Sequence, residues 1–238
     1  MVIECIGLPG SGKTYLMELV GKELERREVD YVNVSANLMN RFSWKLMRKI
    51  ARAAIYLSAD ARWLRSRLRE VLAEEGTLRS STGIYKDEEY TIRSAALFSF
   101  LYHRMVRSHK LYLFDEGLVH TLVKFCADFR LSDETFRKMV TASERGVRSA
   151  RIVILNEIPV QDCLASLKDR DRHICEFDEL VGEQLTALLG EYERLNNAYK
   201  ENFRVLEVRR EEENRKKLSR IFGRIRQVLT SAGERDAR

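Results

Sequence analysis

The chain has 238 residues, of which 45% are apolar and 33% charged, with two prolines and four cysteines. Such a length and composition suit one large folded domain and exclude a disordered chain; the longest mostly apolar stretch, 94–102, is about half what a membrane-spanning helix needs. The formal net charge is +6, and residues 41–70 alone hold nine basic side chains against Asp60 and Glu70, so one segment accounts for the excess.

Met1-Val2-Ile3 runs on without the basic flank and apolar region of a secretory signal, which places the protein in the cytoplasm. Pro9 and Pro159 each follow a short apolar run and no Pro-rich linker divides the chain, so residues 1–238 read as a single domain. Cys5, Cys126, Cys163 and Cys175 form no C-x-x-C pair and read as buried free thiols. A zinc site from Cys163, His173 and Cys175 would have three ligands at an unusual spacing and is disfavoured.

In chain order, the first predicted strand is 2–6, whose continuous apolar run with β-branched residues fits a strand buried on both faces. Gly7-Leu8-Pro9-Gly10-Ser11-Gly12-Lys13-Thr14 follows it and opens a helix in which Leu16, Leu19, Val20 and Leu24 repeat at three and four. A second strand is predicted at 30–34. The interval 36–110 then reads as two or three helices with no convincing strand, an insertion of the kind that covers a sheet's carboxyl edge. Further strands are predicted at 111–114, 152–155 and 203–208. The fourth is followed by a helix from near Gln161 and by a charged run, Lys168-Asp169-Arg170-Asp171-Arg172. A helix with Leu185, Leu188, Leu189 and Tyr192 on one side precedes the fifth strand, and one with Leu218, Ile221, Phe222, Ile225 and Val228 follows it. Strands alternating with helices predict an α/β fold, a five-stranded parallel sheet covered on both faces.

The loop is a full G-x-x-x-x-G-K-[ST] match in the strand–loop–helix context that such a loop requires. Gly7, Gly10 and Gly12 let the loop, with Pro9 and Ser11 between them, wrap and aim successive backbone N–H groups at an anion, although Pro9 itself has none to offer; the helix N-terminus adds partial positive charge. Lys13 is placed to reach the β- and γ-phosphates of ATP, and Thr14 to offer its hydroxyl to Mg2+. A Rossmann site would need G-x-G-x-x-G, which this spacing does not give. Leu111-Tyr112-Leu113-Phe114-Asp115-Glu116-Gly117 has the form of a Walker B segment, with Asp115 at a strand's carboxyl end facing the same Mg2+ as Thr14.

With the loop, the Asp115-Glu116-Gly117 turn, the stretch Ile152–Val160 and Leu167–Arg172 in view, the sequence resembles the P-loop kinases of the nucleoside and nucleotide kinase group, thymidylate kinase-like members in particular. The resemblance implies a P-loop NTPase three-layer α/β/α fold, with 36–110 as a helical acceptor-binding insertion and 166–176 as a lid whose Arg170 and Arg172 close over the phosphates. It also implies a homodimer, and the turn containing Arg209 and Arg210 as the place of the ATP ring. Nucleoside kinases carry a carboxylate just after the second strand, whereas this chain reads Val32-Asn33-Val34-Ser35-Ala36-Asn37. That base is missing. A phosphate acceptor would need cations rather than a base, for which Arg41, Arg48, Arg62, Arg65 and Arg93 are candidates. A hydroxyl acceptor would leave acid–base work to Glu116 or Asp115. Trp44, Trp63 and Phe98 read either as core packing or as a stacking face, and the histidines form no recognisable constellation.

The expected function is ATP-dependent transfer of a phosphoryl group to a small-molecule acceptor: a nucleotide, a nucleoside or a sugar-like compound. The alternative is a P-loop ATPase switch or nucleic-acid-associated ATPase that uses residues 41–70 on phosphate backbone. Nucleic acid and membrane partners are otherwise disfavoured. A GTPase lacks its N-K-x-D segment here and an ABC-type ATPase its L-S-G-G-Q-like one.

Overall fold

The computed structural model describes residues 1–34, 58–76, 78–83, 88–108, 110–147, 150–168, 180 and 182–236. Within them lie strands β1 (Val2–Ile6), β2 (Tyr31–Asn33), β3 (Leu111–Phe114), β4 (Arg151–Glu157) and β5 (Leu206–Arg209). The helices are α1 (Lys13–Arg26), α2 (Ala59–Ala73), α3 (Glu88–Met105), α4 (Leu118–Asp128), α5 (Asp133–Ser143), α6 (Val160–Lys168), α7 (Gly182–Asn202) and α8 (Asn214–Asp236). The five strands pair in parallel in the order β2-β3-β1-β4-β5.

Two apolar layers sandwich this sheet. Ile3, Cys5, Leu113, Ile152 and Ile154 face Leu16, Met17 and Val20 of α1 and Ile221, Phe222 and Ile225 of α8. Val2, Ile6, Phe114, Val153 and Leu155 face the opposite way, onto α2 to α5 and α7. Parallel strands buried on both faces must be apolar at nearly every position, which is why the strands were legible as short apolar runs. The fold class expected from the sequence, α/β/α with a five-stranded parallel sheet and a helical insertion, is the one observed. The described part of 36–110 supplies α2 and α3 and no strand.

The strand boundaries differ by one or two residues at β2 and β4, and by more at the start of β5. Expected from Phe203, β5 begins at Leu206, because Phe203 closes the last turn of α7: its N–H donates to the Tyr199 carbonyl at 2.8 Å and the two rings stack at 4.9 Å.

Strand order places β1 between β3 and β4, so the chain leaves β1 at the point where the winding of the sheet reverses. In open α/β sheets the crevice beyond the carboxyl ends at that point is where ligands bind. The loop from Gly7 and the turn at Asp115 both open into it. Among the described residues, no helix is long and apolar enough to cross a membrane.

Candidate phosphate-binding site

Gly7, Gly10 and Gly12 have φ of 141°, 84° and 87°, conformations that bend the chain back over the end of β1. Gly7 is also sterically fixed, since a Cβ there would lie 2.6 Å from the Asn156 carbonyl oxygen. Asn156, at the end of β4, holds the loop from the other side by donating Nδ2 to the Ser11 carbonyl at 2.7 Å. Helix α6 leans on the loop as well: Cys163 Sγ donates to the Pro9 carbonyl, and Leu167 packs against Gly10.

Lys13, the first residue of α1, is 7% exposed. Its ammonium folds back over the loop and donates to the carbonyls of Gly7, at 3.3 Å, and Leu8, at 3.0 Å. Burial lowers its pKa, and the carboxylates of Glu116 and Asp115 offset that only in part. Thr14 Oγ1 donates to Asp115 Oδ2 at 2.9 Å, so the hydroxyl after the lysine and the acid at the end of β3 meet across the β1–β3 pair.

Glu116 turns outward beside Asp115 and is half-exposed. Its Oε1 lies 3.3 Å from His120 Nε2, one turn along α4, and its Oε2 3.8 Å from Lys124 Nζ, a turn further. Burial pushes the Glu116 carboxyl up, but His120, Lys124 and Lys13 outweigh it and hold the group below the usual carboxylate range. His120 is buried, which lowers its pKa to about 4, with Glu116 opposing the shift. At neutral pH the imidazole is therefore uncharged and its Nε2–H donates to Glu116. Sequence reasoning assigned His120 and Lys124 no role; the signal was the i, i+4, i+8 spacing from Glu116, which puts all three along one side of the helix start.

The residues fit a phosphate with a hard dication. The fully buried Ser11 Oγ makes no hydrogen bond among the described residues, and Lys13 meets neutral carbonyls rather than an anion. Hydroxyl and carboxylate oxygens such as Thr14 Oγ1 and Asp115 are the donors Mg2+ takes, in company with phosphate oxygens and water. Among the described residues no three His, Cys, Asp or Glu side chains gather on one metal position, so a metal here would depend on that shared coordination.

The other expected residues fall in different places. Arg170 and Arg172, with Arg41, Arg48, Trp44, His173 and Cys175, lie outside the described residues. Arg65 and Arg93 meet Arg69 around one carboxylate, that of Glu89, at 3.3, 2.9 and 2.9 Å respectively; Arg62 is exposed on α2. Phe98 packs edge-on to Tyr102 and Phe114. Trp63 lies far from the loop, under Arg145 in the turn that leads to the amino end of β4. Arg209 lines a cleft of about 450 Å³ beside the loop, with Gly7, Leu8, Asn156 and Pro159. Arg210 donates to Ser166 Oγ at 2.6 Å, which joins the turn after β5 to α6.

No family model and no curated protein matches the sequence. Solved structures do. The chain is similar to deoxyadenosine kinase from M. mycoides with bound dATP, at a TM-score of 0.51 and 14% identity, over 95% of this chain and 100% of that one. It is similar to the same kinase with its products dCMP and a flexible dCDP bound, at 0.52 and 14%, over 96% and 100%. At this identity the likeness shows the fold alone, which the chain shares with that kinase.

Proposed function

We propose that this chain is a small-molecule kinase that transfers the γ-phosphoryl group of ATP to a nucleotide, nucleoside or sugar-like acceptor. The observation that carries the reading is the 2.9 Å hydrogen bond from Thr14 to Asp115 beside a buried lysine whose ammonium donates to two loop carbonyls. The nucleotide-bound neighbours of the same fold support a nucleotide ligand.

In this reading the loop Gly7–Thr14 takes the phosphates, and Lys13 exchanges its two carbonyl partners for phosphate oxygens. Thr14 and Asp115 hold Mg2+, which when bound neutralises charge on the phosphate oxygens. The interval 36–110 binds the acceptor. Residues 166–176 act as the lid, beginning at the end of α6 where Leu167 already touches the loop, and Arg170 and Arg172 stabilise charge on the transferred group. The turn with Arg209 and Arg210, beside the 450 Å³ cleft, takes the ring of ATP. Phosphoryl transfer asks the protein mainly for position and charge, which is what these residues offer.

The acceptor is best matched by one that already bears phosphate. Arg65, Arg69 and Arg93 gather around Glu89 on the two helices of the 36–110 interval, the kind of side chain that holds a phosphate, and Glu116 is held ionised by neighbours that make it a weak base. Purified protein incubated with MgATP should release ADP with a nucleoside monophosphate in the acceptor pool, and Lys13→Ala should lower that release by roughly 10²–10³. Turnover with no pooled acceptor, in a protein that binds MgATP, would reject the reading.

A second reading, an ATPase switch, is favoured by the Asp115-Glu116 pair itself, since an acid beside the metal-side aspartate can orient a water. ATP hydrolysis at full rate without any acceptor would select it.

A further inference from the structure

Helix α4 starts directly after the Asp115-Glu116-Gly117 turn, and Gly117 gives it no side-chain cap. Its first donors are taken instead by an acid in the middle of β1. Glu4 Oε2 accepts from Leu118 N at 3.2 Å and Oε1 from Val119 N at 2.8 Å. Glu4 is fully buried, so its charge is tolerable only while donors surround it. Two more do: Tyr102 Oη donates to Oε2 at 2.6 Å, and Arg151 Nη1 stands 3.6 Å away.

The fit at Gly117 is tight. Its backbone is extended, which any residue could adopt, but a Cβ would collide with Tyr102 Oη and come within 2.7 Å of Glu4 Oε2. At the far end of α4, the buried Asp128 carboxylate accepts from Ser80 Oγ at 2.6 Å and from Thr82 N at 3.0 Å. Both partners sit between α2 and α3, and Tyr102 belongs to α3. Helix α4 is thus tied by buried carboxylates at both ends, and each tie reaches the 36–110 interval.

We propose that Glu4 and Tyr102 are positioning residues of the phosphate site. Glu4 stands on the strand that ends in the loop, and through the amides of Leu118 and Val119 it fixes the turn that carries Asp115 and Glu116. Loop and acid are therefore set by one strand, and the acid's place is tied to the insertion through Tyr102. This rests on the kinase reading for what Asp115 does, although the placement of the turn can be tested apart from it. A network that served stability alone would tolerate loss of the Tyr102 hydroxyl with no change at the metal side.

The test uses the full chain, Glu4→Gln and Tyr102→Phe, with Tyr199→Phe as control. Tyr199 belongs to the same buried network, donating to Glu144 at 2.9 Å, but does not touch the start of α4. Calorimetric titration with ADP, in Mg2+ and in EDTA, gives the gain in affinity due to metal, and backbone NMR gives the amide signals of residues 115–119. In Tyr102→Phe those signals should shift and the metal-dependent gain should fall about tenfold, the size seen when groups behind metal ligands are removed, with metal-free affinity retained. Tyr199→Phe should lose thermal stability and keep the gain. Should Glu4→Gln fail to fold, Tyr102→Phe still decides. Unmoved signals, an unchanged gain, or an equal loss in Tyr199→Phe would each overturn the proposal. A wild-type chain that bound no ADP in either buffer would defeat the kinase reading, and the amide signals of Tyr102→Phe would still settle the positioning.

Discussion

Lys13 and Arg151 are both buried cations, each 7% exposed, at opposite ends of adjacent strands. Their surroundings differ. Arg151 opens β4 and is enclosed by acids: Glu144 takes its Nη2, Tyr199 Oη is 3.3 Å from the same nitrogen, and Glu4 lies 3.6 Å from Nη1. Burial pulls the Arg151 pKa down, but Glu4, Tyr199 and Glu144 outweigh it and hold the guanidinium well above its ordinary range. At Lys13 burial prevails, and among the described residues no carboxylate forms an ion pair with it. A charge completed inside the protein belongs to the fold. One left with neutral carbonyls is short of an anion, and a phosphate would supply it.

The largest effects should come from removing the two cations. Arg151→Met takes the guanidinium away from the buried Glu144 and Glu4 carboxylates and should cost about 3–5 kcal/mol of stability, read by denaturant unfolding. Lys13→Ala removes a cation whose partners are two loop carbonyls rather than buried acids. It should leave the unfolding midpoint nearly unchanged while lowering turnover by roughly 10²–10³. If Lys13→Ala unfolds as readily as Arg151→Met, the distinction between a structural and a poised cation fails.

Next in size is a pH effect. His120 has a folded pKa of about 4, below its ordinary 6.5, so between these values the unfolded chain binds the proton that the native one refuses. The neutral imidazole's contribution is complete above pH 6.5 and is lost as pH falls toward 4. The depression corresponds to ~3 kcal/mol. His120→Gln, which can still donate to Glu116, should flatten unfolding stability across that window, and an undiminished slope in the variant would refute the buried neutral state. Arg151 cannot produce such a slope there, since it stays charged throughout.

Gly117→Ala should be smaller, about 1–3 kcal/mol, because its Cβ must displace Tyr102 Oη and Glu4 in a packed site. Since the disturbance falls between the two regions compared, stability and turnover should both drop. A loss of stability with wild-type turnover would show that the start of α4 can move without moving Asp115.

The fold was legible because its strands are buried on both faces: a run such as Val2-Ile3 or Ile152-Val153-Ile154-Leu155 has to be apolar regardless of what surrounds it. The loop and Asp115 were legible because glycines, lysine and acid occur there at a fixed spacing in a fixed context. Glu4 was not, since one acid inside an apolar strand says that something must satisfy it without saying what; Tyr102 and Arg151, its partners, are 98 and 147 residues further on. His120 was missed for a related reason. Its environment is set by Glu116 and by Tyr192 of α7, whose ring lies 6.2 Å away, and only the first is a sequence neighbour. Local chemistry shows in a pattern, whereas compensation of buried charge depends on tertiary neighbours.

The smallest effect expected is at Trp63. It is 42% exposed on α2, with the Arg145 guanidinium 4.5 Å over its ring, in a groove of about 730 Å³ that also includes Arg137, Lys138 and Gly146. The groove holds several cations and an aromatic, as a nucleotide site would, yet it lies by the amino end of β4 while the loop leaves the carboxyl end of β1. In a parallel sheet those are opposite edges. Lys138 is already shared by Glu74 and Glu134, at 2.7 and 3.0 Å, which marks this edge as one whose charges are answered from within. Trp63→Ala should therefore remove a partly exposed ring and its cation contact for about 0.5–1 kcal/mol, and leave turnover and the Michaelis constant of the acceptor as they were. A raised acceptor constant at unchanged kcat would mean that the acceptor reaches this edge, and the division between an edge that binds and an edge that holds would have to be redrawn.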